Sequence, residues 1–155
     1  MKNKFLRILF QAALLAAVSV AIGLAVNAMS SGPLPLLRQP VLDEDEPWPV
    51  VDGDAVFEHF NNGTAIMIDA RPVEDYERGH IPGAINLPYN DFENYFAELS
   101  ATLPLEELYI VYCSGGNCDD SHEVLTQMEA FGFEQLMLYK PGWEEWFKND
   151  FPREQ

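Results

Sequence analysis

The chain has 155 residues, 48% of them hydrophobic, and a formal net charge of −16. All 25 acidic residues follow position 28, where only six basic ones stand against them, a balance of −19. That field excludes nucleic acid and anionic membrane surfaces as docking partners, and it disfavours small anionic substrates.

The first stretch, "MKNKFLRILFQAALLAAVSVAIGLAVNAMS", opens with Lys2, Lys4 and Arg7. No charge interrupts the run from Ile8 to Ala28, a length that spans a bilayer core as a helix. Residues 1–29 are therefore expected to be a single transmembrane anchor, with a cleaved signal peptide ending at Ala28 as the alternative. The basic flank holds the N-terminus inside and sends the rest outward, an extracytoplasmic placement that is periplasmic in a bacterium. Residues 30–49 hold five prolines and an acidic cluster, and read as a semi-extended spacer.

A domain is expected over 50–150. "DGDAVFEHFNNG" gives a short helix capped by Asp52 or Asp54 and stopped at an Asn-Gly pair, with Val56, Phe57 and Phe60 inward. "AIMIDA" is a buried strand ending at Asp69, and "RPVEDYERG" a brief helix with Pro72 in its first turn. After a turn and a short strand in "HIPGAINLP", "DFENYFAELSATL" is amphipathic through Phe92, Tyr95, Phe96 and Leu99. "LYIVYC" is the second strong strand. "SHEVLTQMEAFGF" is a helix that turns Val124, Leu125, Met128 and Phe131 inward, and strand "QLMLYK" precedes a last helix in "PGWEEWFKN". Alternating strands and helices imply an α/β domain, a parallel sheet covered on both faces, whose sites lie at the carboxyl ends of the strands.

The chain's two cysteines, Cys113 and Cys118, share one loop, "CSGGNCDD", at such a strand end. Two cysteines in one short loop argue for chemistry or a local disulfide, and against a stapled scaffold. Gly115 and Gly116 let the backbone curl around the Cys113 sulfur, and the following helix adds partial positive charge, conditions that favour a thiolate. Asp120 or Ser121 is expected to cap that helix, Asp120 with Glu123 having capping-box spacing. His122 is expected to face solvent. His59, His80 and His122 have unrelated spacings, so no metal site is expected. Trp143, Trp146, Phe147, Tyr95 and Phe96 are expected in the core rather than along a binding groove.

The stretch "IDARPVEDYERGHIPGAINLP", Ile68 to Pro88, resembles the rhodanese (sulfurtransferase) family pattern D-x-R…Y-x-x-G-H-I-x-G-A-x-N. "VYCSGGN" is similar to that family's strand and active-site cysteine, and Gly142–Trp143 to its glycine-tryptophan turn. The resemblance covers Val50 to Phe147. It implies a rhodanese-like parallel sheet flanked by helices. It also implies a sulfur carrier without cofactor or metal, with Cys113 as the catalytic thiol that holds sulfane sulfur as a persulfide. The backbone amides of Ser114, Gly115, Gly116, Asn117, Cys118 and Asp119 would cradle the outer sulfur. Asp69, Arg71, Gly79 and His80 would be structural.

Active members of that family commonly carry an arginine about five positions after the cysteine; here Cys118 stands there, followed by Asp119 and Asp120. Phosphatase chemistry is thereby rejected, and a dianionic donor such as thiosulfate should be poor. Cys118 permits a second mechanism, as a resolving thiol that attacks the Cys113 persulfide and leaves a disulfide, given a suitable Cα separation. Three functions stay open. One is a membrane-tethered sulfurtransferase with an unnamed sulfur donor and a thiol or other nucleophilic acceptor. The others are a non-catalytic module docking a basic protein partner, and a thiol–disulfide redox protein.

Overall fold

A computed structural model describes Arg7, Phe10, Gln11 and residues 14–22, 46–116 and 118–155. The chain divides into two units, residues 1–39 and 40–155. In the first, residues 14–22 are helical, and Leu14, Leu15, Val18, Val20 and Ile22 are exposed. The membrane-spanning helix expected over Ile8–Ala28 is not found: among the described residues no helix is long and apolar enough to cross a membrane. Residues 8, 9, 12, 13 and 23–28 of that run lie outside the described residues, as does most of the 30–49 spacer.

The second unit is built on four parallel strands in the order β2-β1-β3-β4. They are β1 (Ile66–Asp69), β2 (Ile85–Asn86), β3 (Leu108–Tyr112) and β4 (Gln135–Tyr139). Parallel neighbours need crossovers. Here α2 (Val73–Arg78) links β1 to β2, α3 (Phe92–Leu99) links β2 to β3, and α4 (Asp120–Ala130) links β3 to β4. Helix α1 (Gly53–Asn62) precedes the sheet and α5 (Gly142–Lys148) follows it. Asp52 caps α1, its carboxylate accepting from Ala55 N at 2.9 Å, and Gly63 ends it in the left-handed region at φ 61°.

The two-residue alternation of β3 divides the core. Tyr109, Val111 and Cys113 pack with Val124, Leu125, Met128, Phe92 and Phe96 on one face. Ile110 and Tyr112 pack with Val56, Met67, Tyr139 and Trp146 on the other. Cys113 therefore continues the face covered by α3 and α4. Phe131, expected inward, is 56% exposed: α4 ends at Ala130, and Phe131 lies against the Phe96 ring, centroids 4.4 Å apart, from the outside.

Two chain ends of this unit are tied to the sheet and its loops. Val51 N donates to Leu138 O and Leu138 N to Pro49 O, both at 2.9 Å, so residues 49–51 run along the outer edge of β4. Trp48, at the end of the expected spacer, is buried in the core. At the other side Glu154 exchanges backbone hydrogen bonds with His80, and its carboxylate accepts from Gly83 N at 3.0 Å.

Candidate active site

Strand β3 delivers Cys113 to the carboxyl end of the sheet, 1% exposed. The chain then turns through Gly115 (φ 109°) and Gly116 (φ 62°), a region that side chains rarely adopt. Gly115 has a second reason to be glycine, because a Cβ there would collide with Pro141 O. The start of α5 closes the loop from beneath: Trp143 N donates to Cys113 O at 2.9 Å and Glu144 N to Ser114 O at 3.0 Å. Gly142 (φ 60°) makes that approach possible, since a Cβ would run into Cys113 O.

Within the loop Cys118 N donates to Gly115 O at 3.3 Å, so this amide is engaged in a turn. Ser114, Gly116 and Asp119 are exposed, and Asn117 lies outside the described residues. The sulfurs of Cys113 and Cys118 are paired as a disulfide across a Cα separation of 6.4 Å, inside the range that the bond tolerates. The condition that spacing alone left open is thus met. Cys118 O lies 3.2 Å from Cys113 Sγ, and the buried Ser121 hydroxyl stands 3.5 Å from it, donating toward the sulfur.

The cap of α4 departs from expectation. Its N-cap is Asp119, whose side chain makes no capping bond; its carbonyl accepts from His122 N and Glu123 N. Asp120 is the first helical residue, its carboxyl pushed up first by burial and then by the Asp119 charge. Ser121 is committed to the sulfur rather than to a cap. His122, expected to face solvent, donates or accepts through Nε2 with Glu46 at 2.7 Å and stands edge-on to Trp48. Glu46 also accepts from Lys140 Nζ at 2.7 Å, and these two partners hold its carboxyl below the ordinary range against the opposing cost of burial, Lys140 being the stronger. A carboxylate held between the Lys140 ammonium and the His122 ring ties the segment before β1 to the helix that follows the cysteines. A shallow pocket of about 360 Å3 beside this tie is lined by Val50, Val51, Asp52, Gly116, Lys140 and Pro141.

On the adjacent strand, Asp69 accepts from Arg71 N, Nε and Nη2, the last at 2.6 Å. The guanidinium lies 4.8 Å from the Trp143 ring and 5.8 Å from that of Tyr112. Burial, then the Asp69 carboxylate, push the Tyr112 hydroxyl well above its ordinary value.

Residues 53–149 match the rhodanese-like domain family. The chain belongs to that family. It is 31% identical over 80 residues to "Putative sulfur carrier protein YrkF" of Bacillus subtilis, covering 52% of this chain and 40% of that one. It is 29% identical over 108 residues to 3-mercaptopyruvate sulfurtransferase of Escherichia coli, covering 56% of this chain and 37% of the relative. This chain thus spans well under half the length of either relative. The rhodanese-like domain of the Anabaena Alr3790 protein superposes with a TM-score of 0.56 at 25% identity, over 70% of this chain and 79% of that one.

The rhodanese-like motif residues are placed as supports. Besides bonding Asp69, Arg71 Nη2 donates to Gly79 O at 2.8 Å, and His80, 5% exposed, stacks on Tyr76 and bonds Tyr76 O through Nδ1. Trp146 and Phe96 are core, as expected, whereas Phe147 is exposed beneath the Arg153 guanidinium and Trp143 is half-buried against Arg71. Among the described residues no cluster of three or more His, Cys, Asp or Glu could hold a metal. Sequence reasoning missed Ser121 as a partner of the sulfur, and Glu46 altogether. A hydroxyl immediately after the cysteine loop, in the first turn of α4, was the available signal for Ser121; nothing local marks Glu46.

Proposed function

We propose that this rhodanese-like protein is a sulfurtransferase that carries sulfane sulfur as a persulfide on Cys113. The observation that supports it most is the housing of that cysteine: at the carboxyl end of β3, wrapped by a positive-φ glycine turn, with Ser121 O–H directed at its sulfur. As a thiolate, Cys113 attacks the outer sulfur of a donor R–S–SH. A new S–S bond forms, the donor's S–S bond breaks, and R–S− leaves with the electron pair. A nucleophilic acceptor then takes the outer sulfur and returns the Cys113 thiolate. Asp119 and Asp120 beside the loop, with no arginine within it, favour a persulfide donor over the thiosulfate dianion.

A thiol–disulfide redox function is a second reading, favoured by the Cys113–Cys118 pairing. The apolar Ile8–Ala28 run behind Lys2, Lys4 and Arg7 supports an N-terminal membrane tether with the domain on the extracytoplasmic side.

Intact mass spectrometry tests the carrier. The reduced full-length protein is treated with cysteine persulfide or with thiosulfate, beside Cys113→Ser. A gain of one sulfur from the persulfide, slower from thiosulfate and absent in the variant, is expected. No sulfur gained from either donor overturns the reading and leaves the redox or non-catalytic alternatives. For the tether, vesicle flotation of the full chain is expected to fail once residues 1–29 are removed; flotation of neither form overturns it.

A further inference from the structure

The pocket lined by Arg78, Trp143, Phe147 and Arg153 has both its arginines already paired, with Asp75 and Asp150. The edge of β4 is partly covered by residues 49–51, and the Glu46 tie is a fastening. The cysteine pair carries more. We propose that the disulfide form of the loop is itself a sulfur-accepting state, one that takes hydrogen sulfide at Cys118 and hands the sulfur to Cys113. This rests on the carrier reading above and names a donor for the same site.

The two ends of the disulfide are unequal. Cys113 is 1% exposed at the strand end, whereas Cys118, though packed against the same core cluster, is only partly buried. A nucleophile from solvent therefore meets the Cys118 sulfur, and the sulfur it displaces is Cys113. That leaving sulfur is the one with a donor in place, the Ser121 hydroxyl at 3.5 Å, and exchange is faster when the departing thiolate is stabilised. Cys118 O, 3.2 Å away, accepts a hydrogen bond from that sulfur when it is a thiol. Hydrosulfide is small and needs no binding pocket, and its neutral acid form is indifferent to Asp119 and Asp120. A dianion is repelled.

The electrons balance without an external oxidant in the loading step. Hydrosulfide forms a bond to Cys118 Sγ, the Cys113–Cys118 bond breaks, and Cys113 leaves with its electron pair. Sulfide sulfur is oxidised to the sulfane level and the disulfide is reduced. The Cys113 thiolate then attacks the outer sulfur of the Cys118 persulfide and displaces the Cys118 thiolate, which takes up a proton. An acceptor that removes the sulfur leaves two thiols. Re-forming the disulfide takes two electrons away, by exchange with a protein or low-molecular-weight disulfide.

The test uses the full-length protein in its disulfide form, mixed anaerobically with one equivalent of sodium sulfide, quenched by alkylation and read by intact mass and fragmentation. The expected product has one sulfur and two hydrogens more than the disulfide form, with the sulfur on Cys118 at the earliest times and on Cys113 later. Cys118→Ser should lose loading from sulfide completely yet still take sulfur from cysteine persulfide on Cys113. Ser121→Ala should slow the sulfide reaction without changing its end point. If the disulfide form stays unchanged, or returns as plain dithiol, while the reduced protein still takes sulfur from cysteine persulfide, this inference fails and the carrier reading stands. A first appearance of sulfur on Cys113 also overturns it. If neither donor loads the protein, both fall.

Discussion

Two loops leave neighbouring strands at the same end of the sheet, Asp69 and Tyr112 being partners in register, and they are built on opposite plans. After β1, the ion pair and the main-chain carbonyls around it are held by side-chain donors. Asp69 takes three donors from Arg71, Asn86 Nδ2 donates to both Asp69 O and Arg71 O, and the guanidinium is shared between Gly79 O and two aromatic faces. After β3, Cys113 has a hydroxyl, a carbonyl and its partner sulfur, with carboxylates rather than a cation in the loop behind it. The motif arginine thus serves the fold and never reaches the sulfur as a charge partner. The first loop fixes the floor; the second gives its sulfur a hydroxyl, a carbonyl and an exchangeable second sulfur in place of a charge partner, which is where chemistry is possible.

The sharpest way to break this division is to remove the buried cation. Arg71→Ala leaves Asp69, which is fully buried, without its charge partner, a loss of about 3–5 kcal/mol by the usual behaviour of broken buried pairs. Urea unfolding would read it, and a loss below about 1 kcal/mol would mean that the pair is not the floor. The same floor sets an alkaline limit. Tyr112 and Tyr139 are both raised when folded, by burial first, so their contribution is complete below the unfolded tyrosine value of about 10 and declines as pH rises beyond it. Tyr112→Phe should shift that alkaline decline upward in a pH series of melts.

The glycine turn offers a smaller effect with an internal control. Gly115→Ala meets both a left-handed φ and the fixed carbonyl of Pro141, and should cost about 1–3 kcal/mol while displacing the loop from α5. Gly116→Ala meets open space and carries only the φ penalty, about 1 kcal/mol. Equal losses in the two variants would show that the loop does not rest on the Pro141–Gly142 turn. Smaller again for stability, but not for chemistry, is Ser121→Ala. A hydrogen bond to a developing thiolate is worth about 1.5–3 kcal/mol, so alkylation of reduced Cys113 near neutral pH should slow by about tenfold or more with little change in melting. An unchanged alkylation rate would remove Ser121 from the site.

What was legible in the sequence follows the range of the interactions. The strands, their order of use and the position of Cys113 rest on short apolar runs and on glycines that announce a turn within a few residues. The D-x-R pair is local too, since Asp69 and Arg71 are two residues apart. The closure of Cys113 onto Cys118 was not decided by spacing, because a Cα separation of 6.4 Å depends on how Gly115 and Gly116 direct the chain. His122 read as solvent-facing because its partner stands 76 residues earlier in a proline-rich stretch, where no periodicity points to a contact. Phe131 read as core because helical spacing was carried one residue beyond the end of α4.

That distant partner supplies the mildest prediction. Glu46 joins Lys140 at the end of β4 to His122 at the start of α4, so it fastens the segment around Trp48 across the flank of the cysteine loop. Its folded value lies below the unfolded one, so the contribution is fully present above the unfolded glutamate value of about 4.3 and disappears as pH falls through the folded value. Glu46→Gln should therefore melt below the wild type at neutral pH, with the two curves converging under strong acid. Because Lys140 is largely exposed, the gap at neutral pH should be about 1 kcal/mol or less. Trp48 fluorescence follows the same pair: a tie that holds the segment down predicts a red shift in the variant at neutral pH. An unshifted spectrum would assign the packing of Trp48 to its apolar neighbours alone.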